Sequence, residues 1–199
     1  EGSSATATTL IPDLDHFRGS FGAKHVIPLW KDIDATNANI TTGVLEKLNQ
    51  TFEETISPEN FFAYFYAILA SPQYVKKFWD ELTIPGPRIP ITKNALLFKE
   101  TVALGENLLW LHTYGERFVP AGKKAGKLPS GKARCKVGTP STQTDYPEDF
   151  SYSYSDQELY VGKGVFKNVS PQVWEFSISR FEVVKSWLGY RMLKRKGKK

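Results

Sequence analysis

The chain has 199 residues, 41% of them hydrophobic and 24% charged, a balance that supports one well-buried domain or two small lobes and excludes wholesale disorder. It holds no run of eighteen apolar residues, which excludes a transmembrane helix, and Cys135 is its single cysteine, which excludes an internal disulfide and makes the cytoplasm the simplest compartment. Residues 1–100 carry 9 Lys and Arg against 12 Asp and Glu, and residues 101–199 carry 17 against 9, so a basic half suited to a polyanion follows a mildly acidic half suited to a protein partner.

Residues 1–16 read as a linker or boundary segment. Residues 24–30 suggest a short strand that Pro28 confines to an edge or an end. Val44, Leu45, Leu48 and Phe52 sit at helical spacing and predict an amphipathic helix over 42–54. Ser57-Pro58 and Ser71-Pro72 each place a capping hydroxyl before a proline suited to the first helical turn. The first starts a helix that is apolar nearly all round, the second a helix with one apolar stripe. Three prolines between Pro85 and Pro90 demand a non-helical connector. Thr92 is the expected cap of a long helix over roughly 93–111, which should pack on the one starting at Pro58.

After Gly115 the character changes. Residues 119–133 are rich in Gly, Lys and Pro and predict a loop. Strand-like runs follow at 133–138, 158–162, 164–169 and 173–178, separated by turn residues. A last segment begins strand-like at Glu182 and is expected to turn helical from Ser186, with Trp187, Leu188 and Tyr190 anchoring it in the core, and Lys185 and Arg191 left at the surface, rather than forming an exposed stacking platform. The fold class is therefore α+β: a helical part over about 42–112, a β-rich part over about 115–185 and a short C-terminal helix.

Sequences that resemble catalytic motifs fail on inspection. Gly126 to Ala133 nearly matches a phosphate-binding loop, but Ala133 stands where a magnesium-binding Ser or Thr is needed, and the run precedes a strand rather than a helix. His16, His25 and His112 form no metal-spaced cluster with Cys135. Asp145, Glu148 and Asp149 read as a surface turn, and no catalytic set or metal site is assigned.

Two stretches concentrate the basic excess. Residues 115–136 hold Arg117, Lys123, Lys124, Lys127, Lys132, Arg134 and Lys136 against Glu116 alone. Residues 185–199 hold Lys185, Arg191, Lys194, Arg195, Lys196, Lys198 and Lys199 and no acid. Glycine-bearing basic loops can follow a phosphate backbone closely, and neutralising several phosphates supplies salt-dependent affinity. Base reading needs defined side-chain geometry, for which Arg134, Gln143, Asn168, Gln172 and Arg180 are the candidates. The DNA-contact set read from charge and position is Arg117, Lys123, Lys124, Lys127, Lys132, Arg134, Arg180, Lys185, Arg191, Lys194 and Arg195.

Four runs resemble one known family in the right order: Phe62 to Tyr74, Pro85 to Thr92, Trp110 to Phe118, and Val184 to Met192. Phe17 to Ser20 and Val26 to Leu29 resemble its opening strand. The family is the C-terminal specificity domain of Type ISP restriction–modification enzymes and related fused methyltransferases, and the resemblance spans about Phe17 to Lys196. It implies a parent polypeptide with a nuclease, an ATP-driven motor, an N6-adenine methyltransferase and this domain. On that expectation residues 17–196 form a single target-recognition domain that reads a short asymmetric site in double-stranded DNA and is not an enzyme by itself.

The resemblance further implies that S-adenosylmethionine, ATP and Mg belong to the other domains and that no cofactor binds here. The partners would be duplex DNA and the methyltransferase of the same polypeptide, in a bacterial or archaeal cytoplasm, with no membrane. The chain ends soon after Arg195, short of a further segment expected in the family, which points to a fragment. The competing reading is a coupling module that docks through its helical part on the methyltransferase with little base reading.

Overall fold

The computed structural model describes residues 3–12, 26–84, 86–178 and 181–193. The chain divides into two compact units, residues 1–128 and 129–199. The first is helical and the second is built on an antiparallel sheet, so the class is α+β.

Unit 1 contains α1 (Val44–Phe52), α2 (Pro58–Ala70), α3 (Pro72–Lys77) and α4 (Ala95–His112). The Ser-Pro signals hold. The Ser57 hydroxyl accepts from the Asn60 N–H while the Asn60 side chain accepts from the Ser57 N–H, a reciprocal cap, and the Ser71 hydroxyl accepts from the Tyr74 N–H. The long helix is capped two residues later than expected. Asn94, not Thr92, accepts from the Leu97 N–H, while the Thr92 hydroxyl accepts from the Asn94 N–H and shapes the approach.

Helices α2 and α4 pack together as expected. Their crossing is tight because Ala63 is fully buried and Gly105 faces it: a Cβ on Gly105 would sit 1.9 Å from the Ala63 carbonyl oxygen. Around this crossing lie Leu48, Ile56, Tyr64, Tyr66, Phe98, Val102 and Leu109. The Tyr64 ring stacks on Phe98 at 4.6 Å between centroids. On α4, by contrast, Leu96, Leu97 and Leu104 point to solvent.

The proline connector is held by tyrosines from the helices. Tyr64 donates to the Pro90 carbonyl at 2.9 Å and accepts from the Thr92 N–H at 3.1 Å, while Tyr74 donates to the Arg88 carbonyl at 2.9 Å. A proline-rich segment lacks N–H donors, so its carbonyls need partners from elsewhere. Residues 3–9, within the expected linker, dock on this unit: Ser4 N–H and hydroxyl both donate to the Leu69 carbonyl, and the Thr9 hydroxyl donates to Glu116.

The strand expected over 24–30 does not form in its described part. Val26 to Trp30 makes one bridge, Trp30 with Ala38, across a loop whose turn is held by the Asp32 carboxylate. Pro28 has no N–H to give a ladder, and its carbonyl accepts from the Asn39 side chain instead.

Unit 2 contains β1 (Arg134–Val137), β2 (Phe150–Ser153), β3 (Glu158–Val161), β4 (Gly164–Lys167), α5 (Pro171–Trp174), β5 (Ser177–Ile178), β6 (Phe181–Glu182) and α6 (Val183–Gly189). The four longer strands form an antiparallel sheet in the order β1-β4-β3-β2, and β5 pairs with β6. Period-two alternation sorts the side chains. Phe150, Tyr152, Leu159, Val161 and Phe166 share one face, which Trp174, Leu188 and Met192 cover. Ser151, Ser153, Glu158, Tyr160, Val165, Lys167 and Arg134 fall on the other.

Three expectations are corrected here. The run 173–178 is not one strand: Ser170-Pro171 repeats the capping signal, with the Ser170 hydroxyl accepting from the Val173 N–H, and one helical turn precedes a two-residue strand. The last helix begins at Val183 rather than Ser186. Only Leu188 of the expected anchors is buried; Trp187 is 55% and Tyr190 60% exposed. A seven-residue helix offers one stripe to the core, which Val184 and Leu188 occupy at four-residue spacing, and Met192, beyond the helix end, packs with them.

Candidate nucleic-acid interface

In unit 1 the basic residues follow the end of α4. That helix stops in three steps. The buried Thr113 hydroxyl donates to the Leu109 carbonyl at 2.6 Å, the Gly115 N–H reaches back to the Trp110 carbonyl at 2.8 Å, and Gly115 adopts a φ of 79°. This left-handed cap suits glycine. It has a second use here, because a Cβ on Gly115 would press within 3.2 Å of the Gly126 backbone. The Gly126 N–H donates to the Gly115 carbonyl at 3.0 Å, which ties the basic loop to the helix end.

Two tight turns shape the loop: the Lys123 N–H bonds the Pro120 carbonyl and the Lys127 N–H the Lys124 carbonyl. Lys123, Lys124 and Lys127 are exposed on them, and Arg117 is exposed just before. No helix follows Gly126 to Ala133; strand β1 does, as a phosphate-binding loop would not allow.

His112, next to this cap, is structural. Its Nδ1 lies 2.6 Å from the Tyr66 hydroxyl, and burial holds its pKa below the ordinary histidine range while pushing the Tyr66 hydroxyl up to about 12. A neutral imidazole accepting from a protonated phenol is the state both shifts favour.

In unit 2, Lys132, Arg134 and Lys136 are exposed on and before β1. Register places Arg134 directly opposite Lys167 of β4, a residue that lies outside both basic stretches of the sequence. The Asn168 side chain turns toward the Lys132 carbonyl, so this end of β1 and β4 gathers Lys132, Arg134, Lys167 and Asn168. Gln143 lies exposed in the connection from β1 to β2, and Gln172 lies exposed on α5, which packs on the other face of the sheet.

On α6, Lys185 pairs with Glu182, which holds its proton and raises its pKa, and its ammonium sits 5.2 Å from the Trp174 ring centroid. Arg191 stacks its guanidinium 3.8 Å over the exposed Trp187 ring and donates to the Trp187 carbonyl. Arg180, Lys194 and Arg195 lie outside the described residues.

Among the described residues no group of three or more His, Cys, Asp or Glu could hold a metal ion. No helix among them is long and apolar enough to cross a membrane.

No curated protein sequence matches the chain. Among solved structures, the cryo-EM structure of a DrdV–DNA complex contains a chain that shares the fold with a TM-score of 0.67 at 20% identity. The alignment covers 95% of this chain and 19% of that one, so the chain spans about a fifth of the length of its structural neighbour. A family model described as the Type ISP C-terminal specificity domain matches residues 1–199. The chain therefore belongs to the Type ISP C-terminal specificity domain family.

Proposed function

We propose that this domain recognises a short site in duplex DNA and directs an N6-adenine methyltransferase of the same polypeptide to it, contributing no catalytic residue or cofactor site of its own. One observation carries the reading: residues 121–138 are exposed without a break and hold Lys123, Lys124, Lys127, Lys132, Arg134 and Lys136 with no acid among them. An exposed basic run set in glycine turns is suited to tracking a phosphate backbone. Membership of a specificity-domain family and a fold shared with a chain from a DNA complex support the same partner.

The test is selection from a pool of random duplexes at two salt concentrations, with sequencing of the bound molecules. Enrichment of an asymmetric motif containing adenine is the expected result. Failure to retain any duplex at low salt would overturn the reading.

A second reading, the coupling module, is favoured by one feature. Leu96, Leu97 and Leu104 are 73%, 50% and 56% exposed on α4, an apolar surface of the kind that marks protein contacts. If coupling is the main role, replacing these leucines with lysine abolishes association with the methyltransferase while substitutions in the basic run leave it intact.

A further inference from the structure

We propose that the outward face of the β1–β4 pair, centred on Arg134 and Lys167, grips the phosphodiester backbone of duplex DNA rather than its bases; this rests on the DNA-recognition reading above. The starting observation is electrostatic. Arg134 and Lys167 are direct cross-strand partners, both exposed, and neither has an acidic partner among the described residues. Like charges placed directly opposite destabilise a sheet, so the arrangement calls for an anion. The acid on this face is already engaged: Glu158 pairs with Lys136 at 3.6 Å and accepts from the Tyr160 hydroxyl at 2.7 Å.

Edge protection does not account for the pair. Charged residues on β1 would be explained by its place at the sheet edge, where they discourage pairing with another chain. Lys167 is on β4, which is bonded on both sides, so its charge protects no edge.

The donor chemistry favours phosphate over bases. Arg134 Nη1 donates to the Gly131 carbonyl at 2.5 Å and to the Ala133 carbonyl at 2.8 Å. Both hydrogens of that nitrogen are then taken, so the guanidinium is fixed against the backbone just before β1, and Nε and Nη2 are left to meet a ligand. What remains is a side-on pair of donors beside the cross-strand Lys167 ammonium, and two adjacent cations suit the anionic oxygens of a phosphate, whereas a neutral base edge offers no counter-charge.

The experiment is titration of a labelled duplex with the whole 199-residue chain, its variants R134Q and K167Q, and the control K163Q, across a salt series. Lys163 sits at the β3–β4 turn and is paired with Asp145 at 2.5 Å. R134Q and K167Q should each weaken binding about eightfold at 0.1 M salt on every duplex sequence, and each should flatten the slope of log affinity against log salt by about 0.9. K163Q should match the parent chain. Unchanged slopes in both variants, with the parent chain binding normally, overturn the backbone grip and leave the DNA reading standing. A changed preference at one base pair overturns it in favour of base reading. A parent chain that binds no duplex overturns both.

Discussion

The helical unit buries its polar atoms along with its rings, whereas the sheet unit keeps the two apart. In unit 1, Tyr64, Tyr66 and Tyr74 are all buried, and each hydroxyl has a partner: the Pro90 and Arg88 carbonyls for two, His112 for the third. In unit 2, one face of the sheet is closed by Trp174, Leu188 and Met192, and the opposite face carries Lys, Arg, Ser, Glu and Tyr. The contrast explains where the family-like runs fall. Three of the four lie in unit 1, and they serve as helix crossing, connector clamp and helix stop. The uncovered charge of β1 and β4 stands outside them. The three runs in unit 1 thus have structural work of their own, and the proposed phosphate contacts of β1 and β4 do not follow from them.

Removing the centre of the sheet unit's core should have the largest effect. Trp174 stacks on Tyr152 at 5.0 Å, meets Phe150 edge-on and lies under Lys185. Trp174→Ala should cost about 3–5 kcal/mol, read as a lower urea midpoint for near-UV circular dichroism, with the far-UV helical signal of unit 1 largely kept. Loss of both signals together would mean that the two units fold as one cooperative body.

Next in size is the helix crossing. Gly105→Ala drives a methyl group against the Ala63 carbonyl, and overpacking of this kind costs about 1–3 kcal/mol. The same urea titration at 222 nm checks it, and a neutral result would mean the helices part without penalty.

A smaller effect separates the units by pH. Below its ordinary value of about 6.5, His112 takes up a proton more readily in the unfolded chain than in the fold, because burial holds its folded pKa down. The stability is thus present above about pH 6.5 and is lost as pH falls through the lower folded value. Urea midpoints from pH 8 to 5 should fall for unit 1, and His112→Gln should flatten that fall. Tyr66→Phe should cost about 1 kcal/mol at neutral pH through the lost hydrogen bond.

Much of the helical unit is legible in the residues, because Ser-Pro caps and apolar spacing are local signals. The same Ser-Pro signal at Ser170-Pro171 is masked, since the apolar residues after it make only one turn and resemble a β-run. Strand β2 escapes a reading of the sequence because Phe-Ser-Tyr-Ser is short and half polar; its alternation makes sense only once Leu159 and Val161 stand opposite. The apposition of Arg134 with Lys167 is not legible at all. They are far apart in the chain, and only register, set by the β3–β4 hairpin and the irregularity in β1, brings them together.

The smallest expected effect tests the corrected reading of the last helix. Trp187 and Leu188 are neighbours, and apolar character alone would put both in the core, yet Leu188 is 6% exposed and Trp187 55%. Leu188→Ala should cost about 2–5 kcal/mol. Trp187→Ala, despite removing the larger side chain, should stay within about 0.5 kcal/mol, because its ring meets Arg191 and solvent rather than the core. Trp187→Ala should also remove the emission component most accessible to iodide, since Trp187 is exposed while Trp30 and Trp79 are half-buried and Trp110 and Trp174 buried. If Trp187→Ala costs as much as Leu188→Ala, α6 is rotated away from the orientation that turns Leu188 inward, and Arg191 is carried round with it.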